Sequence, residues 1–368
     1  MKPVLFVTGH APAYRVGALA CLHEREGIEL ALFGGRLQHG GAQFRQQLPF
    51  PHRHVRSHEL YALAASGRYR AVVCPTGGRL APLATWAGAR RAGVPLILWA
   101  SLWAHPRSVA HTLSYLPLHR LYRSADAVVT YGPHVSAYVR ARGARNVHVA
   151  PQSVDNDFWR SREHERSNDP RWPARADVRF LFVGRPVPGK GLPVLVSAWR
   201  AARLSSPASA LVLAGVGEHV ALPGEGSEAP GAPIVGLDPL DPARLRDVYA
   251  ACDVLVVPSI QTRTFREPWG LVVNEAMNQG LAVIASDSVG AAAGGLVRDG
   301  VNGVVVPAGD PIALASAIAR LAQDADLRRR LGAAGARDVL AFNHCAWAEG
   351  FSRALSSVGA SALIGSVE

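Results

Sequence analysis

Phe265-Arg266-Glu267-Pro268-Trp269-Gly270-Leu271-Val272-Val273-Asn274-Glu275-Ala276-Met277 is the stretch on which the reading of this chain turns. Two carboxylates stand eight residues apart around a turn glycine. The second falls in an apolar segment with the pattern of the first turns of a helix. A helix N-terminus offers free N–H groups and the positive end of the macrodipole to an anion. Trp269, Gly270 and Leu271 would supply those amides. Glu267 would stand just before them, with Glu275 about a turn inside, on the same face as Leu271. A carboxylate can accept two hydrogen bonds from a vicinal diol. The pattern therefore suits a diphosphate flanked by two polyhydroxylated rings. Two acids at a helix start also have a plainer reading, one easing the dipole and the other solvated.

Upstream, Phe182-Val183-Gly184-Arg185-Pro186-Val187-Pro188-Gly189-Lys190-Gly191 follows an apolar run and precedes a helical pattern. Its glycines, Gly184 first, let the backbone turn tightly. Arg185 can reach a phosphate as a fork and Lys190 as a point charge. The spacing is not that of a Walker loop, and a surface turn with two solvated cations fits the same residues. Pro151-Gln152-Ser153-Val154-Asp155-Asn156-Asp157-Phe158 has the Asp/Asn content of a turn after a strand.

Both halves alternate short β-branched runs with longer helical patterns, the signature of parallel α/β sheets. Expected strands in the first half are 4–8, 29–33, 71–74, 95–99, 127–130 and 147–150. In the second half they are 178–183, 210–214, 234–236, 254–257, 282–285 and 303–306. Asp310-Pro311 is a helix start, with an Asp cap and proline at the first helical position. That helix should run to about Gln323. Residues 218–233, rich in Gly, Pro and Glu, read as an exposed loop. Trp347, Phe351 and Leu355 stand at helical spacing. The expected organisation is a doubly wound domain over 1–160, a polar linker over 161–177, a second doubly wound domain over 178–341 and a closing helix in 342–368. Ligands of such sheets sit beyond the carboxyl ends of the strands.

The chain has 368 residues, 49% of them hydrophobic and 18% charged, which excludes disorder and allows two cores. No apolar run reaches the length of a membrane span. The N-terminal residues open directly into a strand pattern and lack signal-peptide character. Cys21, Cys74, Cys252 and Cys345 show no paired or metal-ligand spacing, so a reduced, cytoplasmic setting is expected. The net charge of +11 is dispersed, without polybasic blocks or aromatic-basic platforms. Nucleic acid is therefore not an expected partner, whereas peripheral contact with an anionic membrane is allowed.

Taken together, these motifs resemble retaining GT-B glycosyltransferases of family 4, the glycosyl transferases group 1 domain. Four features carry the resemblance: Gly184-Arg185 with Lys190-Gly191; Glu267-x-Trp269-Gly270 followed by Glu275-Ala276-Met277; Gly280 to Asp287; and Asp299-Gly300-Val301-Asn302-Gly303 with Pro307 and Asp310-Pro311. Tyr249-Ala250-Ala251-Cys252-Asp253-Val254 before Pro258-Ser259 belongs to the same pattern. The match covers about 178–339, and the first half agrees only in outline. The resemblance implies a fold of two Rossmann-like domains facing a cleft and closed by a C-terminal helix. It also implies a nucleotide-sugar donor held by the second domain and a hydroxyl acceptor. Arg185 and Lys190 would hold the diphosphate, Glu267 the transferred sugar and Glu275 the ribose. No metal and no cofactor are implied.

His105 matches where family members place a histidine near the sugar. His10 follows the first strand and is a candidate for acceptor contact; His134 is a weaker one. The glycine pair usual after the first strand is replaced by His10-Ala11-Pro12-Ala13-Tyr14-Arg15-Val16-Gly17, which leaves Gly17 as the candidate close-approach glycine. Gln152-Ser153-Val154-Asp155 stands where Asn-Gly-Val-Asp is usual. The expected activity is transfer of a hexosyl group, with retention, from a UDP-sugar first and GDP-mannose second. The acceptor would be a saccharide, a lipid-linked saccharide or a small natural product. A nucleotide-sugar epimerase of the same fold and a non-catalytic nucleotide-sugar-binding protein are the alternatives.

Overall fold

The computed structural model describes residues 1–34, 48–78, 80–161, 176–204, 208–217 and 232–362. Most of the expected linker, and all but the last two residues of the expected 218–233 loop, lie outside the described residues.

The contacts divide the chain into two units, Met1–Ser153 with Asn343–Glu368, and Val154–Phe342. In the first, seven parallel strands run β1 (Val4–Thr8), β2 (Ile28–Leu32), β3 (His52–His54), β4 (Ala71–Pro75), β5 (Leu96–Ala100), β6 (Ala127–Thr130) and β7 (Val147–Val149). Their order across the sheet is β3-β2-β1-β4-β5-β6-β7. In the second, β8 (Val178–Val183), β9 (Ser209–Ala214), β10 (Ile234–Leu237), β11 (Val254–Val257), β12 (Ala282–Ser286) and β13 (Val304–Val306) lie in the order β10-β9-β8-β11-β12-β13. Every strand pairing is parallel. Strands covered on both faces must be apolar at successive positions. Val4 to Val7 and Val283 to Ala285 accordingly show no exposed surface.

Strand β3 departs from the sequence expectation. His52-Arg53-His54 has no apolar run, because it is a short edge strand held by its backbone against Leu30–Leu32, with both histidines exposed and Arg53 only half-buried.

In the first unit one face of the sheet packs on the helix Ala13–Glu26 and the C-terminal helix His344–Ser357. Trp347, Phe351 and Leu355 are fully buried there, as their spacing implied. Phe351 and Phe6 lie 5.4 Å apart, ring centre to ring centre. A Cβ on Gly350 would come within 2.4 Å of the Val149 carbonyl, so only glycine lets this helix settle onto β7. In the second unit Asp310 caps the helix Pro311–Gln323, accepting from the amides of Ile312 and Ala313 at 2.9 and 3.0 Å.

Candidate active site

In the second unit the strand order reverses between β8 and β11, the topological switch point where doubly wound sheets bind ligands. The two decisive sequence motifs leave these two strands. After β8, Gly184 donates to the Ala214 carbonyl at 3.0 Å, and the chain makes a short 3₁₀ turn at Pro188–Lys190. After β11 comes the segment from Pro258 to Gly270.

The two loops are locked together. The Ile260 amide donates to the Gly189 carbonyl at 3.0 Å. A Cβ on Gly189 would meet the Phe265 ring at 2.3 Å. Gly191 has φ +69°, and a Cβ there would stand 2.0 Å from the Pro258 carbonyl oxygen. Both glycines are therefore required by close approach of one loop to the other.

This docking brings Lys190 onto Glu267. The ammonium lies 2.5 Å from the Glu267 carboxylate, which also accepts from the Ser259 hydroxyl at 3.3 Å. Glu267 is buried, with 7% of its surface exposed, so its charge is balanced locally. The segment carrying it is pinned from the other side. Gly290 donates to the Glu267 carbonyl at 3.1 Å and Ala291 to that of Trp269 at 2.8 Å. The indole of Trp269 is buried and donates to Asn274 at 2.8 Å. Gly270 has φ +95°, in the left-handed region that glycine tolerates best.

The helix Val272–Asn278 begins next, with Leu271 at its N-cap and no side chain capping it. The Val273 amide donates to the Gly270 carbonyl at 3.0 Å and the Glu275 amide to that of Leu271 at 3.1 Å. Glu275 lies in that first turn, half-buried. It accepts from the hydroxyl of Tyr249, a fully buried residue on the helix Pro242–Ala250, at 2.7 Å. Desolvation holds the Glu275 carboxyl up at about 7, and the Tyr249 bond lowers it only in part. The Tyr249 phenol is pushed well above its ordinary range, first by burial and then by the neighbouring carboxylate.

Arg185 is exposed and has no partner among the described residues. Gly184 lies beside Lys190, since a Cβ there would be 3.7 Å from its Cδ. The structure thus brings Gly184, Lys190, Glu267 and Gly270 together in one site. The sequence reading assigned no role to the side chains of Ser259 and Tyr249, although both lie in stretches it singled out.

His10, Gly17 and His105 belong to the first unit. His10 follows β1 and is exposed. His105 follows β5, half-buried and edge-on to the Tyr115 ring at 5.1 Å. Gly17 does permit a close approach, and the group that approaches is the imidazole of His344; a Cβ would lie 2.4 Å from it. His134 sits against the Trp103 ring at 4.9 Å. Among the described residues no three His, Cys, Asp or Glu side chains gather as metal ligands. No described helix is long and apolar enough to cross a membrane. An open depression of about 740 Å³ between Arg320 and Asp326 includes none of these residues.

Residues 177–324 match the family model described as glycosyl transferases group 1. They belong to that family. The matched segment holds both switch-point loops, and therefore Lys190, Glu267 and Glu275. The chain is 30% identical over 223 residues to a D-inositol 3-phosphate glycosyltransferase of Nocardia farcinica, a match covering 57% of this chain and 47% of the relative. It is 34% identical over 190 residues to a phosphatidyl-myo-inositol mannosyltransferase of Mycobacterium leprae, covering 51% and 48%. The chain thus spans about half the length of these two curated relatives.

Among solved structures, sucrose-phosphate synthase from Thermosynechococcus elongatus superposes with a TM-score of 0.73 at 22% identity, over 98% of this chain and 100% of that one. The Anabaena HepE protein in complex with UDP and glucose superposes with 0.72 at 20%, over 97% and 100%. The fold of this chain is GT-B.

Proposed function

We propose that this protein is a retaining glycosyltransferase that moves a hexosyl group from a nucleotide diphosphate sugar to an acceptor hydroxyl. The observation that carries the proposal is the Lys190–Glu267 pair, built by two interlocked loops at the switch point of the second sheet. Residues 178–341 would hold the donor and 1–160 the acceptor. An ammonium has three donors, so Lys190 can hold Glu267 and still give hydrogen bonds to a phosphate. Arg185, exposed on the same loop, adds a second cation. When the anomeric C–O bond breaks, the electron pair stays on the diphosphate oxygen. A fixed cation within reach stabilises that developing charge.

Glu267 accepts from Lys190 and Ser259, and its carboxylate retains acceptor capacity for a sugar hydroxyl. The amides near Trp269, Gly270 and Leu271 would take further phosphate oxygens. Glu275 would hold the ribose diol. His105 and His10 would serve the sugar and the acceptor from the first unit. The leaving phosphate itself would help deprotonate the acceptor on the same face, which gives retention. A UDP-sugar is the first donor to test, as HepE was crystallised with UDP and glucose. GDP-mannose is the second, as one relative is named a mannosyltransferase. The net charge of +11 suits anionic substrates and peripheral contact with an anionic membrane from the cytoplasm.

The test is a thermal-shift screen of UDP-, GDP-, ADP- and dTDP-sugars, since a ligand of the folded state raises the melting point by mass action. One nucleotide series should raise it, and Lys190→Ala should abolish the rise. If no series shifts the wild-type protein, the donor assignment fails.

A further inference from the structure

Arg15 is the most unusual charged residue outside the donor loops. It lies on the helix Ala13–Glu26 in the first unit and is 5% exposed. Its guanidinium sits over the rings of Tyr14, Trp99 and Trp347 at 5.4, 5.5 and 5.4 Å. One end donates to the Gln152 side-chain oxygen. No carboxylate pairs with it among the described residues. Its second terminal nitrogen, Nη1, is buried with no hydrogen-bond partner. Two more buried donors in the same cluster, the indole N–H groups of Trp99 and Trp347, also lack acceptors among the described residues. A buried guanidinium without a counter-charge is costly. Stacking on three rings and one neutral hydrogen bond leave the charge itself unbalanced. An unbalanced positive charge whose Nη1 and neighbouring Trp99 indole N–H lack acceptors calls for an acceptor-rich anion.

There is room for one. A cavity of about 170 Å³ opens beside the guanidinium, with Thr8, His10, Arg15, Trp99 and Tyr131 in its wall. That is the volume of about five or six waters. Thr8 ends β1 and Tyr131 follows β6, so the cavity lies at the carboxyl ends of the strands, where such sheets bind ligands. Gln152 departs from the family pattern, and here it is the residue that orients the arginine.

We propose that Arg15 forms the base of an oxyanion site, so that the acceptor carries a phosphate monoester or a carboxylate. Attribution to the acceptor rests on the transferase reading; the anion site itself does not. The guanidinium fork would meet two oxygens of the group, with the apolar rings excluding water around it. His10, at the exposed mouth, would face the rest of the molecule.

The experiment is calorimetric titration with inorganic phosphate, glucuronate and neutral glucose, in an Arg185→Ala Lys190→Ala background that removes the donor-site cations. Saturable binding of phosphate, glucuronate or both, with none of glucose, is the expected result, and the stronger anion tells phosphate from carboxylate. Arg15→Met, which keeps the stacked stem, should weaken that binding about tenfold to a hundredfold. Arg15→Lys should weaken it less. Should Arg15→Met fail to fold, the background protein and Arg15→Lys decide alone. Absence of anion binding in the background protein at millimolar concentrations overturns the proposal, as does binding that Arg15→Met or Arg15→Lys leaves unchanged. A failed nucleotide-sugar screen with intact anion binding would sink the transferase reading and leave the anion site standing.

Discussion

Replacing Glu275 by glutamine tests the donor site through its most strained group. Folding removes this carboxyl from water and returns one hydroxyl donor, Tyr249. Desolvation wins, and the carboxyl titrates at about 7 against an ordinary 4.5. An acid with a raised folded pKa binds its proton more tightly in the folded state. Its stabilising effect is therefore complete below about 4.5 and is lost as pH rises through about 7. The gap corresponds to about 3 kcal/mol at roughly 1.4 kcal/mol per tenfold change. Water at a partly exposed carboxyl reduces this, so about 1–2 kcal/mol is the working figure. Glutamine keeps an oxygen for Tyr249 and carries no charge. The variant should match the parent near pH 5 and melt higher near pH 8, by about 2–4 °C for each kcal/mol in domains of roughly 150–250 residues. Scanning fluorimetry across that range reads it directly. In the same variant the ribose loses its charged acceptor, and donor KM should rise about tenfold or more. Equal melting points near pH 8 would refute the electrostatic reasoning, and unchanged donor KM would refute the ribose assignment.

Lys190→Ala should lower kcat about a hundredfold to a thousandfold in a transferase assay, the usual loss when a preorganised charge stabiliser is removed. It should also destabilise the protein by about 1–3 kcal/mol, because Glu267 is left buried without its cation. Denaturant unfolding checks this. Gly270→Ala forces an alanine to φ +95° with Val289 only 3.2 Å from the new Cβ, and should cost about 1–2 kcal/mol in the same measurement. Phe351→Ala should cost about 3–5 kcal/mol, since a fully buried ring leaves the core of the first unit. Under a maleimide pulse analysed by mass spectrometry, exposed Cys345 should react first. Cys74, whose thiol burial pushes up to about 12, and buried Cys252 should react only on unfolding.

Much of the fold was legible because a doubly covered parallel strand has to be apolar at successive positions, and Val4–Thr8, Val178–Val183 and Val254–Val257 have the bounds that this pattern gives. Asp310-Pro311 marked a helix start through its chemistry alone. The exception, His52–His54, carries no apolar pattern because its two histidines are exposed, Arg53 is only half-buried, and the backbone ladder defines it. The aromatic stripe of the last helix was legible as an apolar face, but not its target. Phe6 and Trp99 lie in the first third of the chain, and spacing says nothing about which sheet a face will cover. The approach of Cys21 to Cys345, 3.7 Å between sulfurs that are 324 residues apart, was hidden for the same reason.

The site shows where residue-by-residue reading stops. In sequence, Arg185 and Lys190 are two cations of one loop, and Glu267 is an acid of another. The natural inference gives each its own part of a ligand. The structure instead joins Lys190 to Glu267 across 77 residues, so the two charges form one unit. The consequence can be measured with a double-mutant cycle. If each residue served the ligand alone, the stability costs of Lys190→Ala and Glu267→Gln would add. Because each variant leaves a buried or partly buried partner unbalanced, the double variant should be less destabilised than the sum, with a coupling of about 1 kcal/mol or more. Activity should not recover with stability, since the leaving diphosphate still lacks its cation. Recovery of both together would mean that the pair acts only as a structural clasp between the loops. Recovery of stability alone would make Lys190 the group that holds Glu267 and the leaving group with the same ammonium.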